Sequence, residues 1–241
     1  MANIEWVKNK DGSKGTTWNA VTGCSKISAG CKNCYAKRIA ETKLRGKFGY
    51  PEDEPFRVTI HHDKIDDPRS WKKGRKVFVC SMSDIFHDDI PQLDRLDIFN
   101  VMSDTPQHTY QILTKRADKI AHYFPWSVHN PPPQNIWMGV TTEDQDGLDV
   151  RSLYLPRTGA AVKFISIEPI LEEINLDSAL KIIDWVIVGK ETGPNARLAD
   201  ARWIIKIVDQ CKKAGVPVFV KGAPAGLPNK YMVREFPNVK T

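Results

Sequence analysis

Three of the five cysteines in this 241-residue chain lie within eleven residues, in the segment Gly23-Cys24-Ser25-Lys26-Ile27-Ser28-Ala29-Gly30-Cys31-Lys32-Asn33-Cys34-Tyr35. The spacing is C-x6-C-x2-C. Thiolates bind soft metals, and three of them on a glycine-bounded loop can cap one face of a metal cluster. Three chemistries compete for this pattern. A structural zinc ion needs a closed shell of four ligands. The histidine nearest in sequence is His61, so Cys80 would have to complete that shell. A [4Fe–4S] cluster bound by three cysteines keeps its fourth iron open to a small ligand. The third reading takes the cysteines as small buried apolar residues, although charged and glycine neighbours are poor company for a core.

The elements that must carry this loop are short apolar runs. They are Lys76–Cys80, Tyr110–Leu113, Ile136–Val140, Lys163–Ile167, Trp185–Val188 and Val216–Val220. Most are β-branched and nearly continuous, as strands buried on both faces are. Helical patterns fall between several of them, at 93–102, 117–124 and 201–213, and another, at 36–44, follows the cysteines. Such alternation predicts parallel strands joined by right-handed crossovers. Six or seven units at this length predict an α/β fold, a complete or partial (β/α) barrel, with a doubly wound open sheet as the alternative. The chain reads as a single domain over 1–241. Residues 50–73, rich in proline and charge, read as an insertion, Pro131 to Pro133 as a rigid turn, and 222–241 as an irregular closing segment.

Ligands in parallel α/β folds bind at the carboxyl ends of the strands. Here those ends carry Ser81, Ser83, Asp84, Lys115, Arg116, Thr141, Glu143, Glu168, Glu191 and Lys221. A polar rim on one face of a barrel accounts for the set better than ordinary loop polarity does.

Composition narrows the classes further. Hydrophobic residues make up 41% of the chain, enough for a core, which excludes disorder of the whole. An odd cysteine count disfavours a disulfide framework. No run approaches the ~18 apolar residues of a membrane helix, and residues 1–15 lack a signal-type apolar stretch. The expected location is therefore cytoplasmic, with no membrane partner. Basic residues outnumber acidic ones by 35 to 29, a net charge of +6 that suits a polyanionic partner.

The sequence resembles a known family. Ile4-Glu5-Trp6, then Thr17-Trp18-Asn19-Ala20-Val21-Thr22-Gly23-Cys24, then Gly30-Cys31-Lys32-Asn33-Cys34-Tyr35-Ala36, look like the phage-encoded three-cysteine-motif proteins. The likeness continues through 81–87, 113–116, 166–169 and 188–194. These proteins are atypical members of the radical S-adenosylmethionine (radical SAM) superfamily. The resemblance implies a partial barrel with the cysteine loop after its first strand, and a [4Fe–4S] cluster on Cys24, Cys31 and Cys34. S-adenosylmethionine would chelate the open iron. Electron transfer to its sulfonium, from a one-electron reductant such as flavodoxin, would release a 5′-deoxyadenosyl radical. Phage origin would place the protein in the host cytoplasm. The superfamily's commonest first gap is three residues where this chain has six. Relatives often carry Gly-Gly-Glu where this chain has Gly189-Lys190-Glu191.

The resemblance also implies roles. Tyr35 would lie near the adenine, with Ser81, Ser83 and Asp84 at the methionine amino group and ribose, although Asp84 could instead cap the following turn. Lys115 would pair with the methionine carboxylate, and Thr141 and Glu143 would complete the cofactor site. Glu168, Glu191 and Lys190 are candidate catalytic groups at the mouth, and His87 is a candidate proton donor or a solvated loop residue. Cys80 is either a hydrogen donor that quenches a radical or a buried structural thiol. Cys211 reads as structural. Lys37, Arg38, Arg116 and Lys221 are the expected contacts to substrate or nucleic-acid phosphate. Phage context makes DNA the expected substrate: a base or its amino-acid adduct, rearranged by an isomerase of thymine hypermodification. The alternatives are a lyase that repairs damaged bases, and a non-catalytic iron–sulfur or zinc module that recruits a partner protein.

Overall fold

The computed structural model describes residues 4–9 and 11–238; the last three residues of the expected closing segment lie outside that range. The strands are β1 (Thr16–Trp18), β2 (Val21–Thr22), β3 (Thr59–Ile60), β4 (Lys76–Val79), β5 (Thr109–Thr114), β6 (Ile136–Thr142), β7 (Lys163–Ile167), β8 (Trp185–Gly189) and β9 (Val218–Lys221). The helices are α1 (Tyr35–Ile39), α2 (His62–Ile65), α3 (Gln92–Asp104), α4 (Ile120–Tyr123), α5 (Gln145–Arg151) and α6 (Ala201–Ala214). A π-helical turn, Ala40–Leu44, continues α1. Seven strands form one parallel sheet in the order β1-β4-β5-β6-β7-β8-β9. Every strand from β4 onward joins the same growing edge. A doubly wound sheet would reverse direction at a switch point, so the structure is the partial (β/α) barrel, open between β1 and β9.

The apolar runs become strands because both faces of the sheet are covered. On the outer face Val77, Ile112, Val140, Ile165, Val186 and Val218 pack with Ile98 and Phe99 of α3 and Ile204 and Ile207 of α6. Helix α6 starts where Asp200 accepts from the Arg202 N–H, and it ends at Gly215 in the left-handed region. Cys211 lies on its buried face, its thiol pushed up to about 12 by burial. On the inner face Phe78, Trp137, Phe164, Trp185 and Phe219 form a separate cluster with no helix residue in it. Trp6 plugs this layer, with ring centroids 4.8 Å from Phe78 and 6.2 Å from Trp185.

Residues 50–73 are part of the crossover from β1 to β4. The Trp18 indole N–H donates to the Lys64 carbonyl at 2.7 Å, and β3 pairs with β2. The closing segment has its own order. Val220 donates to Val233 and Glu235 to Val218, so this stretch runs antiparallel along β9 and covers an edge that would otherwise be exposed.

Strand alternation builds the interior. Along the inward-facing positions, Trp137 is followed by Gly139 and Thr141, Phe164 by Ser166, Trp185 by Ile187 and Gly189, and Phe219 by Lys221. The lumen is thus aromatic at the amino ends and small or polar at the mouth. Gly139 is required: a Cβ there would lie 2.5 Å from the Phe164 ring. Gly139→Ala is expected to destabilise the fold by about 1–3 kcal/mol, read as a lower urea midpoint with unchanged slope; an unshifted midpoint would show that the Phe164 layer is loose.

Candidate metal centre at the mouth of the half-barrel

The cysteine loop leaves β2 and crosses the carboxyl ends of the strands, and four strand ends hold it. After β4, the Ser83 hydroxyl donates to the Gly23 carbonyl at 2.5 Å, and Gly23 donates back to Met82 at 2.9 Å. After β5, the Arg116 guanidinium reaches the Ser25 hydroxyl at 2.7 Å and the Cys24 sulfur at 3.6 Å. After β6, Glu143 accepts from the Ser28 hydroxyl at 2.6 Å. After β8, Glu191 accepts from the Asn33 amide at 3.0 Å. Two glycines permit this close approach. A Cβ on Gly23 would collide with the Arg57 carbonyl, and one on Gly30 would meet the Glu143 carboxylate at 2.4 Å.

Glu143 is fully buried. Lys115 and Arg151 flank its carboxylate, the latter at 2.8 Å. Burial pushes its pKa up, but the two cations and the Ser28 hydroxyl pull it further down, so it stays ionised. Glu191 is held at about 2, chiefly by its hydrogen bonds to Arg197. Asp84 accepts from the Thr114 hydroxyl at 2.8 Å, from the Phe86 N–H at 3.0 Å and from the Lys115 N–H at 3.2 Å. It thereby ties the end of β4 to the end of β5 and caps the following turn.

Cys24, Cys31 and Cys34 are all partly exposed on the loop. The Cys24 thiol is pushed up to about 11, first by burial and then by Asp84, against the pull of Arg116. Burial also raises Cys31, but the Ile27 backbone, the Ser28 hydroxyl and Lys115 outweigh it and the net shift is downward. Among the described residues no three ligating side chains converge on a single-ion site. Cys80 cannot complete a zinc tetrahedron as envisaged: it is buried in the outer core with its sulfur on the Val21 backbone, and its thiol is pushed up to about 12 by burial. Three partly exposed thiols on one loop, with Arg116 at Cys24 and the Lys115 charge acting on Cys31, are the soft donor set that a three-cysteine iron–sulfur cluster takes.

The other expected residues divide into three groups. Tyr35 starts α1; its ring is partly exposed while its hydroxyl donates to the Ser81 carbonyl, and burial raises that hydroxyl's pKa. At the lumen mouth, Lys221 lies 3.0 Å from Glu168, whose other oxygen accepts from Ser166 at 3.0 Å. Glu168 raises the pKa of Lys221. Gly189 makes room for this pair, since a Cβ there would come within 2.9 Å of Glu168. Thr141 is buried at the end of β6 beside them, its carbonyl bound by Arg151.

The remaining groups are engaged elsewhere or point outward. Ser81 and Ser83 spend their hydroxyls on Asn19 and Gly23. Arg116, expected at a substrate phosphate, is turned into the cysteine loop. His87 is not a solvated loop residue: it is buried, and its Nδ1 accepts from the Asp89 N–H, so its Nε2 carries the proton toward Ser25 at 2.8 Å. Burial, then Arg116, lowers its pKa, so it is neutral at pH 7. Lys190 is exposed, as is Arg38, while Lys37 is half-exposed beside Glu41. The anchors Ser25, Ser28, Asn33, Arg151 and Arg197 were not foreseen. The first three announce themselves only by lying between the cysteines, and the two arginines carry no local signal.

A family model described as a protein of unknown function, DUF5131, matches residues 1–231. The chain belongs to that family. The description of DUF5131 carries neither an activity nor a three-cysteine grouping, so those expectations still rest on the residues themselves. No curated protein matches the sequence. Two solved structures of spore photoproduct lyase share the fold of this DUF5131 chain. One, complexed with dinucleoside spore photoproduct, has a TM-score of 0.52 at 10% identity, covering 85% of this chain and 76% of that one. The other, a mutant of the lyase, has a TM-score of 0.54 at 9% identity, covering 92% and 81%. The shared architecture is the partial (β/α) barrel. No helix among the described residues is long and apolar enough to cross a membrane.

Two outcomes test this geometry. Glu143→Ala strands two part-buried cations and frees Ser28; a loss of about 3–5 kcal/mol in urea unfolding is expected, and a loss below ~1 kcal/mol would contradict the clamp. Glu191 has its pKa depressed on folding. Its stabilisation is therefore present above about pH 4.5 and is lost as pH falls toward 2. Thermal scans across that window should show a shallower acid dependence for Glu191→Gln than for the parent, and parallel curves would contradict the assignment.

Proposed function

We propose that this chain is a radical SAM enzyme acting on a nucleobase of DNA. The observation that carries the reading is the cysteine loop pinned at four strand ends over a polar lumen mouth. Cys24, Cys31 and Cys34 would hold a [4Fe–4S] cluster, which supplies one electron to S-adenosylmethionine and so a radical able to take hydrogen from unactivated carbon. The chain's own residues do the rest. Tyr35 offers a half-exposed ring beside the loop for an adenine. Glu168 and Lys221 place one anion and one cation where a polar heterocycle or an ammonium group would enter, with Thr141 and Ser166 supplying hydroxyls nearby. In this reading the solvent-facing cations Lys37, Arg38 and Lys190 would meet phosphates rather than reacting atoms. Cys80, sealed in the outer core, serves the fold in this reading. A base in a duplex has to leave the stack to reach the mouth.

Two reactions suit this site. Rearrangement of a hypermodified thymine, an isomerase activity, follows from the sequence resemblance. Cleavage of a damaged base, a lyase activity, is favoured by the fold shared with an enzyme complexed with a dinucleoside lesion. Anaerobic protein supplied with S-adenosylmethionine, dithionite and DNA is expected to form 5′-deoxyadenosine or an altered nucleoside. Change confined to irradiated DNA would select the lyase, and change confined to hypermodified phage DNA the isomerase. A cluster-loaded protein that yields neither product on either DNA would overturn the proposal.

A further inference from the structure

We infer that Arg116 positions the Cys24 ligand and sets the reduction potential of the cluster it would help hold. The inference rests on the iron–sulfur reading above. The Arg116 side chain is only 7% exposed, yet its carboxylate neighbour does not account for its orientation. Asp84 lies 3.7 Å away, well beyond the ~2.7–2.9 Å of a tight guanidinium–carboxylate bond. The oxygens of Asp84 are already taken by Thr114, Phe86 and Lys115. The short contacts of Arg116 go the other way. Nη2 donates to the Ser25 hydroxyl at 2.7 Å and the Ser25 carbonyl at 3.3 Å, and Nη1 lies 3.6 Å from the Cys24 sulfur. The Arg116 N–H also donates to the Thr114 hydroxyl at 2.9 Å, which fixes the base of the side chain. Ser25 is held in addition by His87.

The guanidinium is thus locked at the end of β5 and aimed at one of the three sulfurs. Cys31 has the Ser28 hydroxyl at 3.5 Å, whose proton goes to Glu143, with the Ile27 and Ser28 backbone and the Lys115 charge also acting on its sulfur. A cluster gains negative charge on reduction. A fixed cation and an N–H donor at a ligand sulfur stabilise the reduced form more than the oxidised one. Burial keeps that field from being screened. Removing the charge should make the cluster harder to reduce, because Lys115, the cation acting on Cys31, is already paired with the buried Glu143 carboxylate.

Arg116→Met and Arg116→Lys, reconstituted anaerobically with iron and sulfide, test this by redox titration with detection of the reduced cluster's electron paramagnetic resonance. Arg116→Met is expected to load a cluster whose reduced-to-oxidised ratio at fixed potential falls at least tenfold, about 59 mV for a one-electron couple. Arg116→Lys, which keeps the charge, should fall less. Loss of the cluster from Arg116→Met alone would assign the charge to retaining Cys24 and support the inference. A ratio within twofold of the parent, or loss of the cluster from both variants, would overturn it and leave Arg116 a packing residue. If the parent loads no cluster, the functional reading itself fails, and that is a separate result.

Discussion

A carboxylate with no access to water organises the mouth of this half-barrel. Glu143 is tolerable at the end of β6 only because Lys115, Arg151 and the Ser28 hydroxyl surround it. Ser28 belongs to the cysteine loop, so the loop has to be in place for the charge to be satisfied. The same logic repeats at Glu191, where Asn33 and Arg197 converge. Cys31 therefore sits between two anchored residues, and Cys24 and Cys34 each adjoin one. The three cysteines are held by strand ends, so their spacing follows from the sheet.

The lumen beneath is graded by composition. Aromatic side chains fill the amino ends, with Trp6 across the bottom, and the same inward positions turn to glycine, serine and lysine nearer the mouth. Glycines at 139 and 189 create the two close approaches this gradient needs, one for the Phe164 ring and one for the Glu168–Lys221 pair. A rigid apolar floor and a polar entrance are what a site needs if it is to exclude water below the reacting atoms while recognising a polar base above them.

Much of this was legible in the sequence, for identifiable reasons. Six strands lie close to the β-branched runs, because a strand covered on both faces must be apolar throughout. The β1 strand is three residues long, too short for periodicity, and only the family resemblance implied it. Helix α5 escaped notice because Gly147 and two aspartates break its apolar pattern. The polar strand ends were visible as a set, but their partners were not. Asp84 reads in sequence as either a ligand-binding group or a turn cap and Arg116 as a ligand-binding group; the geometry has Asp84 holding the turn and Arg116 the cysteine loop. Contacts such as Ser28 to Glu143 span more than a hundred residues, and one sequence holds no record of them.

The account stands on a multi-iron cluster carried by Cys24, Cys31 and Cys34 with one iron left open. The most direct test is Mössbauer and electron paramagnetic resonance spectroscopy of protein prepared without oxygen, with and without S-adenosylmethionine. Roughly four irons and four sulfides per chain are expected, with a reduced-cluster signal that changes shape when S-adenosylmethionine is added and that disappears in Cys24→Ala. A single tetrahedral divalent ion, or a cluster indifferent to S-adenosylmethionine, would contradict the account.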